Sequence, residues 1–222
     1  MFSKLPSMMR TALLVPVIAT LSPIAAAQDP AQDDTPIPVL KFGYYGDVTY
    51  GNPDGVEVIE YMSLTCGHCG HFQAMIMPGI MTGLIEPGHV SFTVKNLIRD
   101  GLDMAMVVTA RCRDEDFAKK AFRKLLLEQQ RWLSGPQNGA ERQAAVNEIF
   151  AELGMAEAEM QTCLTNQDLA KHIYEDVSAD TKAYDIKGTP TVLVERVKVP
   201  VGSADDLIAY VETNYSEQMA NN

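Results

Sequence analysis

The sequence predicts an α/β fold in which a β-α-β half and a β-β-α half are separated by a helical insertion. Two segments rich in β-branched and aromatic residues, at 56–64 and 90–98, enclose a helical segment, and this order implies a parallel pair of strands. A helical pattern with no strand in it then runs from Asp103 to about Tyr184. Two short apolar segments and a final helix follow.

The β-α-β half is predicted to begin with a strand within residues 39–50. A turn follows at residues 51–55, where Gly, Asn, Pro and Asp cluster. The apolar run at residues 56–64 is typical of a buried central strand. A helix should continue through residues 71–85 with a kink at Pro78, because proline removes a helical hydrogen bond.

The insertion is predicted to contain four or five helices. Asn166 is a suitable N-cap for the helix that runs to Tyr184. We therefore expect an inserted helical domain at residues 102–186, within a domain made of residues 39–101 and 187–222. Apolar residues with a helical period mark one of the inserted helices: Phe117, Ala121, Phe122, Leu125 and Leu126.

The β-β-α half should consist of a hairpin and one helix. Residues 191–195 and 197–201 are predicted to be the two strands of the hairpin. Ser203 should cap the last helix, which is expected to end near Thr213.

The first 27 residues have the order of a cleaved secretory signal peptide. Two basic residues and no acid precede an apolar run at 11–21, and Ala25-Ala26-Ala27 offers small residues for cleavage. The run is too short for a membrane helix, which needs about 20 apolar residues. The alternative is an uncut N-terminal anchor. We expect export to the periplasm, with a disordered, Pro-rich leader at residues 28–38.

Composition narrows the classes of function. The 222 residues carry a net charge of −11, and 46% of them are hydrophobic. Such a chain can build an ordinary core, but it repels phosphate backbones, so we expect no nucleic-acid partner. Four cysteines, an even number, favour disulfide chemistry in an exported protein.

The tetrapeptide Cys66-Gly67-His68-Cys69 is predicted to be a redox centre at the start of a helix. The helix dipole favours a thiolate at Cys66, and His68 can add a donor or a positive charge. Cys69 lies almost one turn further on, within reach for a disulfide. In this geometry Cys66 is the nucleophile and Cys69 the resolving thiol. A stabilised thiolate makes the disulfide more oxidising.

Other interpretations of the tetrapeptide remain open. A c-type haem site needs a histidine where Gly70 stands, and a structural zinc site needs a second Cys/His pair. Cys66, His68, Cys69 and His71 could instead bind a soft metal such as Cu(I). A purely structural disulfide is a further alternative. We expect no metal and no cofactor.

With this tetrapeptide after a buried strand and Gly188-Thr189-Pro190 before another, the chain resembles the DsbA family of bacterial periplasmic disulfide oxidoreductases. The resemblance covers nearly all of the chain that follows the signal peptide. It implies a thioredoxin-like fold with a helical insertion between the βαβ and ββα halves. It also implies thiol-disulfide oxidoreductase activity on exported proteins.

The resemblance implies roles for three residues outside the tetrapeptide. Pro190 is expected to be cis, and Thr189 to face the active disulfide and pair with an extended substrate. Glu60 matches a buried acid beneath the active site, where burial raises its pKa and suits it to relay a proton to or from Cys69. Alternatively, Pro190 is an ordinary trans proline and Glu60 a carboxylate that faces solvent at a strand edge.

The direction of electron flow remains open. Many DsbA-like oxidases have Pro-His between the cysteines, whereas Gly67-His68 matches protein disulfide isomerases. Dimeric isomerases carry an N-terminal dimerisation domain for which residues 28–39 are too few, so we expect a monomeric oxidase. Its implied partners are unfolded or partly folded exported proteins and a membrane protein of the DsbB type. The alternatives are an isomerase or reductase, or a copper-handling thiol module.

A second, structural disulfide between Cys112 and Cys163 is also implied, because some DsbA-like proteins carry an extra disulfide in the helical block. The alternatives are two separate buried thiols or a second redox-active pair.

Overall fold

Five strands form one mixed sheet in the order β1-β3-β2-β4-β5 in a computed structural model, which describes residues 42–220. The predicted signal peptide and leader lie outside the described residues. Strands β2 and β3 are parallel, and the other neighbours are antiparallel. The strands are β1 (Val48–Gly51), β2 (Val56–Met62), β3 (Val90–Asn96), β4 (Thr191–Val194) and β5 (Val197–Val199).

The central strand β2 is buried along almost its whole length, as its apolar sequence predicts. It pairs with β3 on one side and β4 on the other, so the two halves of the chain meet at this strand. The site described below begins where β2 ends.

Helices occur in both the βαβ half and the ββα half, and they make up the segment between β3 and β4. Within residues 42–220, no helix combines the length and apolar character that a membrane crossing requires. The α-helices are α1 (Gly67–His71), α2 (Met77–Ile80), α3 (Gly101–Ala110), α4 (Glu115–Leu127), α5 (Gly139–Glu152), α6 (Glu157–Leu164), α7 (Gln167–Ala183) and α8 (Ala204–Ala220).

The helical run after β2 is irregular around Pro78. Two π-helical turns, Phe72–Ile76 and Met81–Ile85, lie on either side of α2, which has the proline in its first turn. Proline has no N–H to continue the α-helical hydrogen bonding. A shift into π-helical pairing is a common way for a helix to absorb such an interruption. The predicted kink thus takes the form of two changes in hydrogen-bond register.

The insertion consists of five α-helices, α3 to α7, and a π-helical turn at Gln130–Ser134. No strand interrupts this described part of the chain, as predicted. The Asn166 side chain accepts a hydrogen bond from the Leu169 N–H at 3.0 Å, which confirms the predicted N-cap of α7. The predicted domain boundaries remain an expectation.

The first strand is shorter than predicted. Residues 42–47 are not a strand, because their backbone groups pair with the helical block instead of the sheet. The Arg111 side chain donates to the Tyr44 and Gly46 carbonyls at 3.1 and 2.6 Å, and the Asn166 side chain donates to the Phe42 carbonyl at 2.7 Å. These contacts are between residues far apart in sequence, and local pattern does not reveal them.

The last helix is longer than predicted. It begins after Ser203, whose hydroxyl accepts a hydrogen bond from the Asp206 N–H at 3.3 Å, as expected of a cap. It continues past Thr213 to Ala220, with a non-helical backbone conformation at Tyr215. The apolar pattern weakens there, but a bend at one residue lets the helix continue.

Candidate active site

Cys66 is the N-cap residue of α1 and directly follows the turn after β2. Its backbone is extended, and its carbonyl accepts hydrogen bonds from the Cys69 and Gly70 N–H groups at 3.0 and 3.1 Å. Both cysteine thiols of the tetrapeptide are in the reduced form in this structure. Cys69 is fully buried, and Cys66 is 6% exposed. The strand-to-helix junction therefore places the two sulfurs at different depths.

The turn before β4 faces Cys66 from the other half of the chain. The Thr189–Pro190 peptide bond is cis. The Cys66 thiol donates a hydrogen bond to the Thr189 carbonyl at 3.3 Å, although 123 positions separate the two residues. Thr189 and Pro190 are both partly exposed. Pairing of β2 with β4 brings this turn to the cysteines.

The environment pushes the pKa values of the two thiols in opposite directions. Burial disfavours ionisation of Cys66, but hydrogen bonds from the Thr189 side chain and from the backbone N–H groups of Cys69 and His68 outweigh it, so its pKa is lowered. Burial strongly raises the pKa of Cys69, and negative charge on Cys66 or Glu60 raises it further. Cys66 is therefore the thiol that ionises first.

Glu60 is a buried acid at the centre of the sheet. It lies on β2 between Val94 of β3 and Val192 of β4, and its side chain is 5% exposed. Burial raises its pKa to about 8. The alternative of a carboxylate that faces solvent at a strand edge is therefore wrong. Ionisation of Glu60 would raise the pKa of Cys69 further.

His68 and His71 are exposed at the start of the helix. His68 favours the Cys66 thiolate through its backbone N–H. Among residues 42–220, no three His, Cys, Asp or Glu side chains are arranged to hold a metal ion. The four residues considered as Cu(I) ligands therefore do not include three that are placed to share one ion.

Two residues of the insertion hold the active-site turn, and the sequence did not reveal either. Asp103 is fully buried and accepts hydrogen bonds from the Ser63 hydroxyl at 2.6 Å and the Leu64 N–H at 2.9 Å. The buried Gln129 amide donates to the carbonyls of Leu64 and Cys66 at 2.8 and 3.0 Å. Both polar groups of the Leu64 backbone are therefore held by the insertion.

Gly70 makes room for this contact. A Cβ atom at this position would collide with the Gln129 side-chain oxygen.

An Asp at position 103 is an ordinary first-turn residue by sequence. The only available signal was a polar residue in a largely apolar helix, α3. Side chains that bond a distant backbone leave no periodic pattern, so local sequence analysis does not find them.

Cys112 and Cys163 are joined as a disulfide in the structure, with their Cα atoms 5.6 Å apart. Cys112 lies just after α3 and Cys163 in α6, and both are buried. The bond links the turn after α3 to α6. Neither residue lies in a Cys-x-x-Cys arrangement.

We expect mass mapping of the unreduced protein to find the peptides of Cys112 and Cys163 linked. Replacing both with alanine should lower the free energy of unfolding by about 4 kcal/mol, because the bond closes a loop across 51 positions. Chemical denaturation measures this loss. Replacing Cys66 and Cys69 with alanine is the control for cysteine removal at the other pair. Alkylation of both Cys112 and Cys163 without prior reduction would show the pairing to be wrong.

The sequence profile described as thioredoxin matches residues 45–213, and the chain belongs to this family. Among curated proteins, the chain is 24% identical over 172 residues to a Rickettsia bellii protein named as a candidate protein-disulfide oxidoreductase. The match covers 77% of this chain and 65% of that protein. The chain thus spans somewhat less than two thirds of the length of this relative.

Solved structures confirm the fold that the sequence predicted. Wolbachia pipientis alpha-DsbA1 is similar with a TM-score of 0.71 at 17% identity, and the match covers 79% of this chain and 94% of that one. A protein-disulfide isomerase from Novosphingobium aromaticivorans is similar with a TM-score of 0.67 at 22% identity, over 78% and 98% of the two chains. The chain therefore has the thioredoxin-like fold with the helical insertion of DsbA structures.

Proposed function

We propose that this protein is a periplasmic thiol-disulfide oxidoreductase that introduces disulfides into exported proteins. The observation that carries the proposal is the opposed pKa shifts of Cys66 and Cys69 at one helix start. A low-pKa thiol is a good leaving group and a stable thiolate, which favours transfer of the disulfide to a substrate. The names of the curated relative and of the similar structures support the same class of reaction.

The reaction proceeds by two exchanges. A substrate thiolate attacks the Cys66 sulfur of the Cys66–Cys69 disulfide, and the S–S bond of the protein breaks as Cys69 leaves. A second substrate thiolate then attacks the substrate sulfur of the mixed disulfide, and Cys66 leaves as a thiolate. The substrate loses two electrons and forms a disulfide, while the protein gains them and becomes a dithiol.

Glu60 is proposed to move the proton that Cys69 needs. The departing Cys69 sulfur is buried and has a raised pKa, so it takes up a proton near neutral pH. Glu60 has a pKa of about 8, so it is largely protonated near neutral pH and can supply the proton to Cys69. During reoxidation the same carboxylate can accept the proton from Cys69.

Thr189 and Pro190 are proposed to bind the substrate. The turn that contains them is partly exposed and lies against Cys66, so an extended peptide that pairs with the Thr189 backbone would carry its sulfur to Cys66. The proposed substrates are unfolded or partly folded exported proteins. A membrane protein of the DsbB type would reoxidise the dithiol, and the working form would be a monomer.

The test is oxidation of a reduced peptide that contains two cysteines by the purified, oxidised protein. We expect one peptide disulfide to form for each Cys66–Cys69 disulfide reduced, as measured by mass spectrometry after acid quenching. Equilibration with glutathione should give a reduction potential above about −200 mV, as for oxidising members of the fold. A potential near the thioredoxin value of about −270 mV would identify a reductase instead. Refolding of scrambled ribonuclease measures isomerase activity.

A further inference from the structure

A basic surface surrounds Cys66, although the chain as a whole is acidic, with a net charge of −11. The depression at the mouth of the site contains Arg99, Lys187, His68 and His71. No Asp or Glu among the described residues lines this depression. We call Arg99 and Lys187, its two permanently charged members, the basic rim. The charge of the side chains that line a reactive site affects which substrates approach it.

Arg99 is fixed above the turn that leads to Cys66. Its guanidinium donates to the Thr65 carbonyl at 3.2 Å, and its backbone N–H donates to buried Asp103 at 3.1 Å. The side chain is exposed, and within residues 42–220 no carboxylate lies within 4.0 Å of its guanidinium. A guanidinium has five N–H donors, so several remain for a ligand.

Lys187 approaches the site from the other half of the chain, two residues before Thr189. Its ammonium pairs with Asp185 at 3.0 Å, and the two side chains are 81% and 71% exposed. An ion pair so exposed contributes little, and a substrate carboxylate can replace it. The other nearby acid, Asp100, accepts a hydrogen bond from the Thr65 hydroxyl at 3.3 Å. Neither acid enters the depression itself.

We propose that the basic rim selects substrates in which acidic side chains flank the reacting cysteine. The inference rests on the proposed function, because it concerns the substrates of that same site. A peptide whose sulfur reaches Cys66 enters the depression that is lined by both Arg99, which follows β3, and Lys187, which precedes β4. Carboxylates on that peptide meet two cations, whereas basic side chains meet like charge.

Three peptides test this selection. They share one sequence with two cysteines and differ only in the residues beside the first cysteine, which are Glu, Gln or Lys. At low ionic strength we expect the oxidised protein to oxidise the Glu peptide about 3- to 10-fold faster than the Lys peptide. The ratio should fall towards one in 0.5 M salt, where the Debye length is only about 4–5 Å. Acid-quenched rate constants give the measurement.

A double variant tests whether Arg99 and Lys187 cause the preference for acidic peptides, and a second variant is its control. Arg99→Gln combined with Lys187→Gln should bring the ratio of the Glu and Lys peptides to within about twofold. The matched control is Lys171→Gln, which removes an exposed charge that pairs with Glu175 on α7, outside the depression. This control should keep the preference. Circular dichroism of each variant verifies that the fold is retained.

The outcomes separate the two proposals. If none of the three peptides is oxidised, the proposed function is wrong. If all three are oxidised at the same rate, the function stands and the selection by the basic rim is wrong. An equal fall of all three rates in the double variant, with an unchanged ratio, would also overturn the inference. In that case the two cations act on Cys66 and not on the substrate.

Discussion

Replacing Cys69 with serine is expected to convert the protein into a trap for its substrates, while replacing Cys66 with serine should abolish exchange. Cys66 is the thiol with the lowered pKa, and it donates a hydrogen bond to the carbonyl of the partly exposed Thr189 turn, so a substrate sulfur bonds to it first. In Cys69→Ser the Cys66 thiolate attacks a substrate disulfide and releases one substrate thiol, and the mixed disulfide accumulates because Cys69 is absent and cannot displace the substrate. Non-reducing gels of the two variants, expressed in a bacterial periplasm, measure the trapped species.

The comparison between these two variants supplies its own control, because each removes one sulfur from the same tetrapeptide. Cys112 and Cys163 remain in both, so any mixed disulfide that depends on them would appear equally in each. Trapping by Cys66→Ser in place of Cys69→Ser would reverse the assigned roles. Substrate turnover by Cys66→Ser at the wild-type rate would remove Cys66 from the reaction altogether.

Replacing Glu60 with glutamine is expected to stabilise the reduced protein above about pH 8 and to change little at pH 5. Burial raises the pKa of Glu60 to about 8 from an ordinary value of 4.5, so the folded state holds this proton more tightly than the unfolded state. Below pH 4.5 Glu60 is protonated in both the folded and the unfolded states, so it lowers the free energy of unfolding little there. Stability is lost progressively as the pH rises from about 4.5 to about 8, in total on the order of 5 kcal/mol. Glutamine does not ionise and avoids the loss.

Urea denaturation from pH 5 to 9 measures the difference between the two proteins. Glu57→Gln is the matched control, because Glu57 lies on the same strand but is partly exposed and pairs with Arg196 at 3.5 Å. Its effect should be small at every pH. Parallel pH profiles for wild type and Glu60→Gln would contradict a buried Glu60 that titrates near pH 8.

The same substitution should slow the reaction of Cys69. Without the carboxyl group, the buried Cys69 sulfur loses a proton donor and acceptor, and the proton has to come from solvent. During reoxidation, the attack of Cys69 on the mixed disulfide should become slower, whereas the earlier attack of the Cys66 thiolate on the oxidant should keep its rate. Stopped-flow reoxidation of the reduced protein resolves the two steps.

Much of the fold was determined by local sequence. Periodicity and capping predicted three features that depend on neighbouring residues: a strand at residues 56–64, observed as Val56–Met62, a helix start at the tetrapeptide, and the N-cap at Asn166. Cys66 and Cys69 could be proposed as the reactive pair for the same reason, since the chemistry needs only a fixed spacing at a helix start. The fold of the whole chain then followed from the order of its elements.

Tertiary structure decided which other residues act on that pair. The sequence suggested Glu60 only through a family resemblance, and burial between β3 and β4 is what raises its pKa. Asp103 and Gln129 were not predicted, because they bond backbone groups about 40 and 65 positions away in sequence. The acidic composition likewise gave no hint of the basic rim. Local pattern specifies helices, strands and a tetrapeptide, whereas burial, electrostatic field and long-range hydrogen bonds exist only once the chain has folded.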